Sequence, residues 1–130
     1  MNASDSLKLN GIDILATPAY NTKPVFLWIK AHPKSKGNIG FILTTDSGIK
    51  IYHSGDTDYI AEMDRIANVD VALVAIGGDK LTMNEAEAAA IVNHIRPKQV
   101  IPMHYELRGG ENIAKFRSLV DEAIMVTALE

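Results

Sequence analysis

Asp56, in Ser54-Gly55-Asp56-Thr57, and His104, directly after the apolar run Val100–Met103, are the side chains whose type and setting most suggest chemistry. Gly55 lets the backbone come close to a ligand. A carboxylate at the head of a helix either accepts backbone N–H bonds in a tight turn or binds a cation. An imidazole at a strand end acts as a metal ligand or general base, or rests half-buried against a carbonyl. His53 and Asp56 flank one turn, although successive strand positions send side chains to opposite faces. His53 therefore either orients a ligand from behind or bonds locally at the strand end. His32, in Ala31-His32-Pro33-Lys34, lies in a loop stiffened by proline and either approaches a pocket or stays at the surface. His94 falls off the apolar stripe of its segment and is expected to be solvated.

Zinc prefers four ligands drawn from His, Asp, Glu and Cys, so Asp56 and His104 supply half of such a set. The 130 residues contain no His-x-His-x-Asp-His, no His-Glu-x-x-His and no cysteine. Short-range ligand clusters, thiolate zinc knuckles, disulfide scaffolds and cysteine nucleophiles are thus missing together. Gly77-Gly78-Asp79-Lys80 lacks the spacing of a phosphate-cradling loop, and Ser54 lies outside any Gly-x-Ser-x-Gly elbow. Thirteen Lys and Arg against sixteen Asp and Glu give a formal charge of -3, which disfavours a nucleic-acid partner. The longest apolar run, Val25–Ile29, is far short of the roughly 20 residues of a membrane span. The polar opening Met1–Leu7 lacks the order of a secretory signal. A cytoplasmic protein without membrane contact is expected.

The elements that must position these residues follow from apolar spacing. Ile39–Thr44 and Ile49–His53 read as hairpin strands around Thr45-Asp46-Ser47-Gly48. Gly11–Thr17 alternates until Pro18 and suits an edge strand. Ile60, Met63 and Ala67 share a helical face, with Thr57 or Asp58 as the cap. Val69–Ile76 is nearly all apolar, as in a central strand covered on both faces. Asn84-x-x-Glu87 opens a helix that carries Ala88, Ile91, Val92 and Ile95 on one stripe. Gln99–Met103 returns to a strand, and Ile113, Phe116, Val120 and Ile124 mark a last helix after Gly109-Gly110. A hairpin followed by α, β, α, β, α implies an α/β fold on a mixed sheet whose later strands are parallel. Sites in such sheets collect outside the carboxyl ends of strands, where Ser54–Thr57, Gly77–Lys80 and His104–Glu106 form three polar loops expected to be neighbours.

In this order and context, Ile51–Asp58, Val71–Gly78 and Ile101–Tyr105 resemble the C-terminal half of the metallo-β-lactamase superfamily, in its simpler metal-dependent hydrolase branch. The likeness runs from about Gly11 to about Tyr105. It implies half of a four-layer αββα sandwich, whose whole members join two similar halves with one or two metal ions, commonly zinc, at the rim between them. It implies that Asp56 matches the aspartate bridging two ions and His104 the last histidine ligand. It also implies that Thr82-Met83-Asn84 follows the loop near the pocket, and that Tyr20 and Asn21 stand where many relatives carry a further histidine. The family's N-terminal half, with its His-x-His-x-Asp-His cluster, is not in this sequence. The chain is therefore expected to be one domain over 1–130, with a polar head (1–7), a family-like half-domain (11–105) and a C-terminal helix and tail (110–130). Its expected role is a subunit or fragment of a metal-dependent hydrolase, inactive alone toward ester, amide or phosphoester bonds. The alternative is a non-catalytic interaction domain that works as an oligomer. The sheet face normally buried against the missing half needs a cover, from a separate N-terminal half or a second copy. Val25–Ile29 either joins such a contact or adds a strand.

Overall fold

Strands with apolar residues at alternate positions line up in chain order across one seven-stranded sheet in a computed structural model, which describes residues 1–105 and 110–129. β1 (Ser6–Leu9), β2 (Ile12–Pro18), β3 (Ile39–Thr44) and β4 (Lys50–His53) are antiparallel neighbours. β5 (Val71–Ala75), β6 (Gln99–Met103) and β7 (Met125–Val126) continue the sheet parallel to β4. A 3-10 segment, Ala61–Arg65, and the helices α1 (Glu85–Ile95) and α2 (Glu111–Leu119) occupy the three crossovers. This is the expected α/β architecture with a mixed sheet.

Register explains which face is covered. Ile42, Tyr52, Ala72 and Val100 form one row across β3 to β6, and they pack with Ile91, Val92 and Phe116 of the helices in the core. Asn84 starts α1 because its side chain accepts the Glu87 N–H at 2.9 Å while Glu87 accepts the Asn84 N–H at 3.1 Å, a reciprocal cap for orphan donors. Burying Ile91 and Val92 contributes about 1.5–3 kcal/mol each. The neighbouring row, Phe41, His53, Leu73 and Ile101, faces the other way. These four are half-buried and lie outside the core cluster, so the sheet has one covered and one open apolar face.

Several expectations are corrected. β5 is covered fully on one face, where Ala72 and Val74 are buried, whereas on the other Val71 and Leu73 are half-exposed and Ala75 alone is buried, since the described helices share one core. The Gly11–Thr17 segment is not an edge. β1 pairs along it, so Ser6 and Leu7 of the supposed polar head belong to a strand too short to show a period. The segment after Thr57 is a 3-10 turn with Ile60 in the cap position, because Asp58 is engaged elsewhere. α2 ends at Leu119; Val120 and Ile124, read as its last apolar positions, lead instead into β7, whose two residues carry no pattern. Val25–Ile29 adds no strand to the sheet. It closes a tight Phe26–Ile29 bridge and exposes Phe26, Leu27 and Trp28. Glu106 and Gly109 lie outside the described residues. Among the described residues, no helix is long and apolar enough to cross a membrane.

Candidate metal site

The turn after β4 is held from below and behind. The Ser54 N–H donates to the Leu73 carbonyl at 3.0 Å, and Ser54 Oγ accepts the Ala75 N–H at 3.2 Å while donating to the Gly55 carbonyl at 2.8 Å. That buried hydroxyl is a structural pin, which removes Ser54 as a nucleophile candidate. Gly55 adopts φ +65°, a conformation costly for other residues, and its N–H donates to His53 Nδ1 at 3.1 Å. His53 thus braces the turn from which Asp56 projects. The turn also sits directly on β3. A Cβ at Gly40 would lie 2.5 Å from the His53 carbonyl oxygen and 2.7 Å from that of Ser54.

Asp56, half-exposed, meets His32: its Oδ2 lies 4.0 Å from His32 Nε2. The loop bearing His32 is tied at both feet. Asn21 N–H donates to the His32 carbonyl at 2.7 Å, and Asn21 Oδ1 accepts the His32 backbone N–H at 3.0 Å and lies 2.9 Å from ring Nδ1. At the other foot the buried Asp58 carboxylate accepts from Thr22 N–H at 2.7 Å, Thr22 Oγ1 at 2.8 Å and Lys23 N–H at 3.0 Å. Beyond His32, Lys34 Nζ donates to Glu62 at 2.8 Å, and Tyr20 donates to the same carboxylate at 2.9 Å. The Lys34 hydrogen bond holds the Glu62 carboxyl below its ordinary value, while burial and then Glu62 push the Tyr20 phenol up.

His104 projects one residue beyond β6, at the same end of the parallel strands, with β5 between it and the Asp56 turn. Two strand spacings put the β4 and β6 axes about 10 Å apart. His104 has φ +57°, unusual for a side chain with a Cβ, and packs against Gly77, where a Cβ would sit 3.1 Å from its Nδ1. Gly77, Gly78, Leu81, His104, Tyr105 and Asn112 line an open cleft of about 520 Å³. The loops are stitched together, since Met83 N–H donates to the Thr57 carbonyl at 2.8 Å and Gly78 N–H to the Met83 carbonyl at 3.0 Å.

The structure therefore brings Asp56 together with His32. Among the described residues no group of three His, Cys, Asp or Glu gathers around one point. His104 occupies the same rim as the pair, and His53 stands behind it. The sequence alone does not mark His32, because its partner Asn21 lies eleven positions away across a loop without periodicity. Proline beside a histidine was the only local signal.

Residues 1–104 match the beta-lactamase superfamily domain. A UPF0173 metal-dependent hydrolase of Pyrobaculum islandicum is 38% identical over 109 residues, covering 81% of this chain and 43% of its own length. Another, from Methanosphaera stadtmanae, is 31% identical over 134 residues, covering 98% and 56%. Igni18, a metallo hydrolase of Ignicoccus hospitalis, superposes with TM-score 0.72 at 31% identity, over 100% of this chain and 56% of its own. The metallo-beta-lactamase fold protein YhfI of Bacillus subtilis, at 11% identity and TM-score 0.76, covers 100% and 52% and shares the fold. The chain spans about half the length of these relatives.

Proposed function

The chain belongs to the beta-lactamase superfamily, and from that premise we propose that it contributes His32, Asp56 and His104 to the divalent-metal site of a metal-dependent hydrolase, the remaining ligands coming from outside these 130 residues. The observation that carries this reading is the approach of His32 Nε2 to Asp56 Oδ2 at 4.0 Å. Adjacent tetrahedral zinc ligands with bonds of about 2.1 Å stand about 3.4 Å apart. A closing movement of roughly 0.6 Å in an exposed rim therefore suffices, and one imidazole with one carboxylate suits zinc or another divalent ion. When bound, such an ion supplies Lewis-acid polarisation of the scissile carbonyl or phosphoryl group. The chain's own residues do the holding: His53 supports the Asp56 turn, Gly77 admits His104, and the Asp58-anchored loop presents His32.

Two or three donors fall short of a full coordination set, so the chain alone is expected to bind metal weakly and to be inactive. The open face of Phe41, Leu43, Ile51, Leu73 and Ile101 favours a covering partner, as exposed apolar patches of this kind do. Calorimetric zinc titration checks the reading. Weak, saturable binding lost in both Asp56→Ala and His32→Ala supports it; binding unchanged in both overturns it. Mixing with a polypeptide that bears a His-x-His-x-Asp-His half is expected to restore tight metal binding and esterase or phosphodiesterase activity. A metal-free homodimer indifferent to such a half would favour the non-catalytic interaction domain instead.

A further inference from the structure

We propose that Asn21 is a positioning residue that fixes the tautomer of His32 and so aims an unprotonated Nε2 at Asp56; this rests on the reading of His32 as a metal ligand. Asp58 is almost fully buried. Its Oδ2 takes three donors from Thr22 and Lys23, and its Oδ1 faces the Asn21 side chain at 3.3 Å. A carboxylate accepts only, so the Asn21 atom facing it is the amide nitrogen. That nitrogen also donates to the Leu81 carbonyl at 2.9 Å. With both its donors used, the Asn21 amide leaves its oxygen toward His32. The oxygen accepts the His32 backbone N–H at 3.0 Å and lies 2.9 Å from ring Nδ1. An oxygen that cannot donate requires the proton on Nδ1. In a neutral ring Nε2 then keeps its lone pair, and Nε2 is the atom 4.0 Å from Asp56 Oδ2.

The arrangement is the one by which a partner on the far nitrogen of a ligating histidine sets its tautomer and ring angle. Here a nearly fully buried asparagine supplies it, oriented in turn by Asp58. An exposed amide could rotate; this one is held by four hydrogen-bonding partners.

Nitrogen-15 NMR of histidine-labelled, metal-free protein at about pH 8, where imidazoles are mainly neutral, tests this, with the His32 signals assigned by their loss in His32→Gln. The expected wild-type result is a protonated Nδ1 and an unprotonated Nε2; a ring protonated at Nε2 overturns the proposal. In Asn21→Ala the signals are expected to move toward a tautomer mixture, with zinc affinity reduced about tenfold to hundredfold. A folded Asn21→Ala protein with unchanged tautomer and zinc affinity overturns it as well. Should that variant not fold, the wild-type spectrum alone decides. The zinc affinity of His32→Gln is read separately: no change there refutes His32 as a ligand while leaving the tautomer result standing.

Discussion

Substituting Gly40 with alanine tests how the Asp56 turn is seated. The new Cβ would lie 2.5 Å from the His53 carbonyl oxygen, 2.7 Å from that of Ser54 and 2.9 Å from Thr17 Oγ1, all below the 3.0 Å that real Cβ contacts respect. Two of the three atoms are backbone, so no rotamer change relieves them. The turn cannot simply lift, because Ser54 N–H is bonded to Leu73 and Ser54 Oγ to Ala75. Relief requires β3 and the turn to separate by half an ångström or more. Overpacking of this kind costs about 1–3 kcal/mol. With an unfolding entropy of about 2.1 cal/mol/K per residue, that lowers the melting temperature by roughly 4–11 °C. Thermal unfolding followed by circular dichroism measures the loss, and zinc titration of the same protein is expected to show weaker binding, since Asp56 rides on the displaced turn. A Gly40→Ala protein that melts with the wild type and binds zinc equally would refute the seating of the turn on β3.

Other perturbations follow from the same geometry. Among the described residues the buried Tyr52 hydroxyl has no partner, so Tyr52→Phe is expected to stabilise by about 1 kcal/mol, read as a higher melting temperature. Burial holds the Tyr52 phenol well above its ordinary value. Above about pH 10 the unfolded chain loses a proton that native Tyr52 keeps, and the Phe variant should lose that share of the alkaline decline. His104→Gly should relieve the left-handed backbone at φ +57°, raising stability by about 1 kcal/mol while weakening metal binding in the reconstituted site. The carboxyls of Asp70, bonded by the Lys50 N–H and then Lys98, and of Asp121, bonded by the Ala123 N–H and then Arg96, are held below their ordinary values. The unfolded state then binds more protons as pH falls from about 4. Stability present above that pH should drain away through the lowered native values, with Asp70→Asn blunting the acid limb of the melting curve.

The parts of the fold that repeat were legible in the sequence. The Ile39–His53 hairpin, the capped α1 and the strands β5 and β6 each show several residues at one period, and each formed within two residues of its expected bounds. β1 and β7, with four and two residues, are too short to show a period: β1 is held in a tight hairpin on β2 and β7 by the more distant β6, so their own residues carry little signal. The 3-10 turn at Ala61–Arg65 arose where a helical face was expected because both expected caps are engaged elsewhere: Asp58 bonds across 36 positions to Thr22, and the Thr57 hydroxyl donates to the Tyr20 carbonyl. The candidate site divides in the same way. Asp56 and His104 announce themselves by glycine and strand context, whereas the link from Asn21 to His32 is a tertiary contact between two polar residues in a loop without pattern.

Anomalous diffraction at the zinc edge from crystals soaked with zinc tests the central claim most directly. A peak bonded to His32 Nε2 and the Asp56 carboxylate at about 2.0–2.2 Å is the predicted result. Zinc bound only at other surface groups, with His32 and Asp56 both left uncoordinated, would contradict it.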